Sequence, residues 1–284
     1  MLVFFMKGRV KFKVLAKVLY EVLTHRVSVD VAFKRGCGGK CAKNLNEREK
    51  LYEVVRNFIS DYIKLMCYIS NSEVSHRELA RIWLKSINHN VEISELHCIY
   101  SYPKWFVDDL LKLMSYDDVR NLLNSMNKRV WWLRINTLKG SEEGVLRDLD
   151  KEGANYVVDK DIPYMVKITY SPKPIRLLRV VKEFKAVPQD KASAAVVEAL
   201  KPEVNDYIID LTAAPGMKTS LIMMLTENKA NVVASDISLR RLINMKYLLK
   251  RLGVDLSRVQ LVHTDSVLAN YRLYFNKALL DAPC

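Results

Sequence analysis

No stretch of this 284-residue chain approaches the roughly 20 consecutive apolar side chains that a membrane-spanning helix requires. The opening Met1-Leu2-Val3-Phe4-Phe5-Met6 is too short for a secretory signal and lacks a small-residue cleavage site. Cysteine is sparse, and Cys37, Cys41, Cys67, Cys98 and Cys284 show no disulfide framework, so free thiols in a reducing cytoplasm are expected, with no membrane partner. Cys37 and Cys41 stand four apart in a glycine-rich turn, but no second close pair follows, while Cys67, His76 and Cys98 fall in separate helical stretches; no metal site is expected. Acidic side chains are the minority, 32 against 45 basic, for a formal charge of +13. Nucleic acid is the commonest partner for such an excess, because each phosphate neutralised by Lys or Arg releases counterions.

What is present falls into three segments. Residues 1–125 read as helix after helix. Val14, Leu15, Val18, Leu19, Val22 and Leu23 form one stripe at three-and-four spacing, and Leu51 to Ile63 repeat it behind Asn46, an N-cap with Glu49 three residues on. Amphipathic stretches follow at 75–88 and 104–126, and nothing catalytic is visible. In residues 126–187 the period changes to two. Trp131 to Leu138 alternates as a strand, 141–153 reads as a short helix, and strands are predicted at 155–158, 164–168 and 176–181 between Pro163, Pro172 and Pro174. In this small α+β module Trp131, Arg134 and Lys139 are candidates to stack on bases or hold phosphates of an RNA.

Residues 188–284 alternate strands with helices, which predicts a parallel, doubly wound sheet. Ligands of such sheets bind at the carboxyl ends of the strands. Each predicted strand carries an acidic residue at or just past that end: Asp210, Asp236, Asp265 and Asp281. The loop after the first strand, Thr212-Ala213-Ala214-Pro215-Gly216-Met217-Lys218, is small and feeds a helix N-terminus with free N–H donors. Asp236 suits the two hydroxyls of a ribose, and Asp265 could accept from an adenine amino group. Glycine is missing where the alternatives need it. A P-loop requires it immediately before Lys218 and again five positions earlier, where Met217 and Thr212 stand; a dinucleotide loop requires three, and Gly216 is alone. A single-glycine loop ahead of a ribose-binding acid fits S-adenosylmethionine better.

Here the sequence resembles a family. Asp210-Leu-Thr-Ala-Ala-Pro-Gly-Met-Lys-Thr219 is similar to the cofactor loop D-x-C-A-A-P-G-G-K-T of the Sun/NSUN RNA 5-methylcytosine methyltransferases. Pro188-Gln189-Asp190, Asp236-Ile-Ser-Leu-Arg-Arg241, Leu280-Asp281-Ala282-Pro283-Cys284 and the Leu133-Arg134-Ile135-Asn136-Thr137 strand resemble further motifs in the family's order, and the helical first third resembles the NusB-like domain of some members. The resemblance implies an α/β chain with a helical NusB-like domain, an RNA-binding extension and a Rossmann-like methyltransferase sheet, forming 5-methylcytosine in tRNA or rRNA. It implies cofactor contacts from Thr212 through Lys218 and from Asp236, Arg241, Asp265 and Asp281. Thr212 departs from the family's cysteine and Met217 from its second glycine, which adds a side chain facing the methionine moiety.

Carbon 5 of cytosine becomes nucleophilic only after a thiolate has added to carbon 6. In the family that thiolate lies in a later T-C-S motif, and the D-A-P-C cysteine assists product release, a role that Cys284 matches. The family's sheet order, 3-2-1-4-5-7-6, implies that these residues supply its first half, so that either a separately encoded second piece completes it or the reading frame is interrupted. The alternative reading is a non-catalytic RNA-binding remnant, or one half of a split methyltransferase.

Overall fold

The computed structural model describes residues 8–39, 41–70, 72–86 and 94–282. Contacts divide the chain into two compact units, residues 1–129 and 130–284.

The first unit is helical: α1 (Gly8–His25), α2 (Val29–Cys37), α3 (Leu45–Ser60), α4 (Tyr62–Tyr68), α5 (His76–Ser86), α6 (Leu96–Tyr100), α7 (Lys104–Leu113) and α8 (Tyr116–Met126). The Val14–Leu19 stripe packs on Leu51, Val55, Phe58 and Trp83, which are all buried, and Leu96, Val107, Val119 and Leu123 make a separate small core. Helix α3 starts two residues earlier than its sequence suggests. Asn44, not Asn46, caps it by accepting the Glu47 N–H at 2.9 Å, while the Glu47 carboxylate accepts the Lys43 N–H. The expected free thiols require correction as well. Cys37 pairs with Cys41 and Cys67 with Cys98, over Cα separations of 5.0 and 5.9 Å that a disulfide spans readily. Cysteine usage therefore no longer argues for a reducing compartment. No described helix is long and apolar enough to cross a membrane.

The second unit holds two four-stranded sheets. The first contains β1 (Trp131–Ile135), β2 (Asn155–Val158), β3 (Met165–Tyr170) and β4 (Ala186–Pro188), antiparallel in the order β2-β3-β1-β4, with α9 (Glu142–Lys151) between β1 and β2. No strand forms at 176–181. Pro174 sets up a 3-10 turn at Ile175–Leu177, and α10 (Arg179–Lys182) follows, closed by Lys182 and Glu183 N–H bonds to Leu178 and Arg179 carbonyls. The fourth strand is instead Ala186–Pro188, too short for alternation to reveal.

Helix α11 (Lys191–Leu200) leads into a parallel sheet of β5 (Tyr207–Asp210), β6 (Asn231–Asp236), β7 (Val259–His263) and β8 (Lys277–Leu279) in the order β7-β6-β5-β8. Crossovers α12 (Met217–Leu225) and α13 (Leu239–Arg251) connect β5 to β6 and β6 to β7. One continuous core serves both sheets: Leu133, Ile135 and Met165 of the first join Ile208, Val232 and Leu221 of the second layer of elements. Strand β5 sits centrally and is buried over Ile208–Asp210, as a strand covered on both faces must be.

Candidate functional site

Parallel register brings the ends of β5 and β8 level and carries β6 and β7 two residues further on the same side. Asp210 pairs with Ala234 of β6 and Leu279 of β8, and Asp236 pairs with His263 of β7. Immediately beyond those ends lies a cavity of about 580 Å³ lined by all four expected carboxylates, Asp210, Asp236, Asp265 and Asp281, and by Thr212, Ala213, Ala214, Pro215, Met217, Lys218 and Arg241. Gly216 alone of the expected cofactor residues does not line it. Its task is the turn itself: at φ 101° it caps α12, and a Cβ there would lie 2.8 Å from the Met245 side chain.

The loop is pinned on every side. Ala213 N–H donates to the Ser235 carbonyl at 2.9 Å, and Ala214 N–H donates to the Asp236 carboxylate at 3.2 Å. Ser266 Oγ donates to the Leu211 carbonyl at 2.6 Å, and Asp281 N–H to the Thr212 hydroxyl at 3.2 Å. Arg241 bridges Asp236, at 3.3 Å, and the Ala214 carbonyl, so it holds the ribose-site candidate against the loop. Lys218 pairs with Asp281 across the mouth.

Asp210 and Asp236 are only 2% and 3% exposed. Burial pushes the Asp210 carboxyl up to about 6, aided by the nearby Asp281 charge and opposed by the Thr219 hydroxyl, which donates to it at 2.7 Å, and by the Thr212 N–H. Asp236 retains oxygen acceptors toward the cavity besides the Ala214 and Ser238 N–H bonds. The arrangement offers acceptors for hydroxyl and amino groups, plus the N–H donors of a helix N-terminus, at the switch side of a parallel sheet.

The other expected residues lie elsewhere. Arg134 is fully buried. Its guanidinium donates to the Met217 carbonyl at 3.2 Å and the Ser220 hydroxyl at 2.8 Å, so it braces the first turn of α12 instead of facing an RNA phosphate. Lys139 is exposed and Trp131 half-buried against the core. Cys284 lies outside the described residues. Two groups that the sequence reading did not single out, Ser220 and Ser266, prove to hold the loop; each is one more small polar residue among many, with no spacing to flag it.

Comparison with known proteins adds the family. Residues 197–284 match the model of the 16S rRNA methyltransferase RsmB/F domain, and residues 102–175 match an RsmF/B-like ferredoxin-like domain. It is related to the Sun/NSUN RNA cytosine-5 methyltransferases. Ribosomal RNA small subunit methyltransferase B of Proteus mirabilis is 35% identical over 155 residues, covering 54% of this chain and 36% of that protein. The tRNA (cytosine(72)-C(5))-methyltransferase of Pyrococcus horikoshii is 44% identical over 98 residues, covering 34% and 25%. Among solved structures, a methyltransferase homologue from Pyrococcus horikoshii superposes with a TM-score of 0.59 at 28% identity, over 66% of this chain and 62% of that one. The chain thus spans 25% to 44% of the lengths of such curated relatives. The ferredoxin-like match begins at 102 and so takes in α7 and α8, ahead of the α+β start expected at 126. None of these similarities supports a separately encoded C-terminal piece.

Proposed function

We propose that the chain binds S-adenosylmethionine in the cavity at the β5–β8 strand ends and serves methyl transfer to carbon 5 of a cytosine in tRNA or rRNA. The observation that carries this reading is the convergence of four carboxylates and one helix N-terminus on a single cavity whose volume suits a nucleoside-sized ligand. Asp236, held by Arg241, accepts from the ribose hydroxyls, and Asp265 accepts from the adenine amino group. The Thr212–Lys218 loop frames the amino-acid end. When bound, the cofactor supplies an electrophilic methyl group. The rest of the chain's work is positioning: α12 and Lys218–Asp281 set the mouth at which the base is presented. By family resemblance Cys284 assists product release. The exposed Lys139, the edge of Trp131 and the +13 charge serve the RNA.

Calorimetric titration of the full chain with S-adenosylmethionine, followed by transfer of labelled methyl groups to bulk RNA, tests the reading. Saturable binding that Asp236→Ala abolishes is expected. Absence of binding would overturn it, and binding to RNA alone, without cofactor, would favour the RNA-binding remnant.

A further inference from the structure

Away from that cavity, in the helical unit, α4 and α6 lie against each other and bring together three side chains that are 30 and 31 positions apart in sequence: Cys67 with His97 and Cys98. Their ligand atoms lie within 4.8 Å of one another, with His97 Nε2 3.2 Å from Cys98 Sγ and 3.9 Å from Cys67 Sγ. The other ring nitrogen, Nδ1, is 3.1 Å from a carboxylate oxygen of Glu95. A carboxylate fixing one imidazole nitrogen so that the other faces two sulfurs is the arrangement by which proteins orient a metal-binding histidine. Cys98 is buried, while Cys67 and His97 are partly open, so solvent reaches one side of the cluster.

We propose that Cys67, Cys98 and His97, once the sulfur pair is reduced, form a zinc(II) site with Glu95 as the carboxylate behind the histidine and water as the fourth ligand. Two thiolates and an imidazole are the donors zinc favours, and three protein ligands with one open position complete its tetrahedron. Tetrahedral zinc sets each sulfur about 3.5 Å from the imidazole nitrogen, given bonds of about 2.3 and 2.0 Å. The two observed sulfur–nitrogen separations, 3.2 and 3.9 Å, bracket that spacing, so only the two sulfurs must part.

The chemistry balances with a dithiol as reductant. The Cys67–Cys98 bond breaks as the reagent gives up two electrons and two protons, leaving two protein thiols and the reagent's cyclic disulfide. Zinc then displaces both thiol protons and forms two sulfur bonds and one nitrogen bond, a set whose metal and ligand charges cancel. Oxidised chain does not bind tightly, because the neutral disulfide sulfurs keep lone pairs but lack the thiolate charge that zinc requires of its sulfur ligands. The site is therefore open or closed according to the redox state of its surroundings.

The test uses the full chain, reduced with a dithiol, desalted without oxygen and titrated with zinc against a chromophoric chelator, then with cobalt(II) as a spectroscopic probe. One equivalent of zinc per chain is expected, with thiolate-to-cobalt charge-transfer and tetrahedral d–d bands in the cobalt form. Cys67→Ser and His97→Gln, checked for retained helicity by circular dichroism, lose these signals, whereas a Cys37→Ser/Cys41→Ser variant keeps them. Glu95→Gln weakens binding by about 10- to 100-fold. Failure of the reduced wild-type chain to bind one equivalent would overturn the proposal regardless of how any variant folds. So would tight binding by the oxidised chain, or binding that depends on Cys37 and Cys41 instead.

Discussion

The two sheets of the second unit each bury a charge against the same turn of helix, and they do so for opposite ends. From the antiparallel sheet, Arg134 of β1 reaches the Met217 carbonyl and Ser220 hydroxyl; from the parallel sheet, Asp210 of β5 accepts from Thr219. Arg134 ends in protein, and burial brings its guanidinium down to about 10. Asp210 ends at an open cavity shared with three other carboxylates. A buried charge closed off by its own chain is a brace, whereas one left at a cavity wall at the end of a parallel strand is a ligand-side group. The α12 N-terminus, where the loop must hold still, is gripped between the two.

The largest way to break this comparison is to remove the brace. Arg134→Ala leaves a side-chain-sized void, strips the Ser220 oxygen of its donor and leaves the Met217 carbonyl only the Ser220 hydroxyl among side chains, so a loss of about 3 kcal/mol in urea unfolding is expected. RNA affinity per folded molecule should hold. If Arg134 instead held phosphate, stability would change by less than about 0.5 kcal/mol while RNA binding and its salt dependence fell.

Asp210 gives the next effect, through pH. Its folded value of about 6 lies above its ordinary 3.8, so between those values the folded chain keeps a proton that the unfolded chain has released. Stability from this group is complete below the lower value and is lost as pH rises through the upper one, by at most about 3 kcal/mol. Urea unfolding between about pH 4 and about pH 7 should show that slope, and Asp210→Asn should flatten it. A slope that survives the substitution would assign it to other groups. Smaller again is Asp236→Asn. Replacing one charged acceptor at the ribose site should weaken S-adenosylmethionine binding about 30-fold, close to 2 kcal/mol.

Why the parallel half was so legible in sequence, and the rest less so, follows from the kinds of signal involved. Strand ends, a loop and carboxylates recur in a fixed order in βα units, so Asp210, Asp236, Asp265 and Asp281 could be placed on one rim from spacing alone. Arg134 was misplaced because alternation along β1 gives the face a side chain takes but not whether a helix covers that face. The 175–182 run carries apolar residues that fit either period, and only the backbone bonds after Pro174 decide for a turn and helix. His97 beside Cys67 and Cys98 was invisible for a third reason: the helix pairing that joins them is a tertiary fact that no local pattern reports.

Met217 offers the finest test, because it stands between the two regimes. Its carbonyl belongs to the brace, its side chain lines the carboxylate cavity, and it also lines a neighbouring cavity of about 400 Å³ with Arg176, Phe184, Leu248 and Arg251. Unlike Gly216 it sits in ordinary helical backbone, so glycine is not required there for conformation. Met217→Gly keeps the carbonyl for Arg134 and removes only the side chain. The glycine penalty and the partial loss of packing against the core together should cost about 1–3 kcal/mol of stability. If the thioether crowds the amino-acid end of the cofactor, S-adenosylmethionine binding should tighten by up to about fivefold, roughly 1 kcal/mol. Unchanged affinity would mean that the side chain belongs to the neighbouring cavity, leaving the backbone of this turn as the only part of Met217 that the cofactor meets.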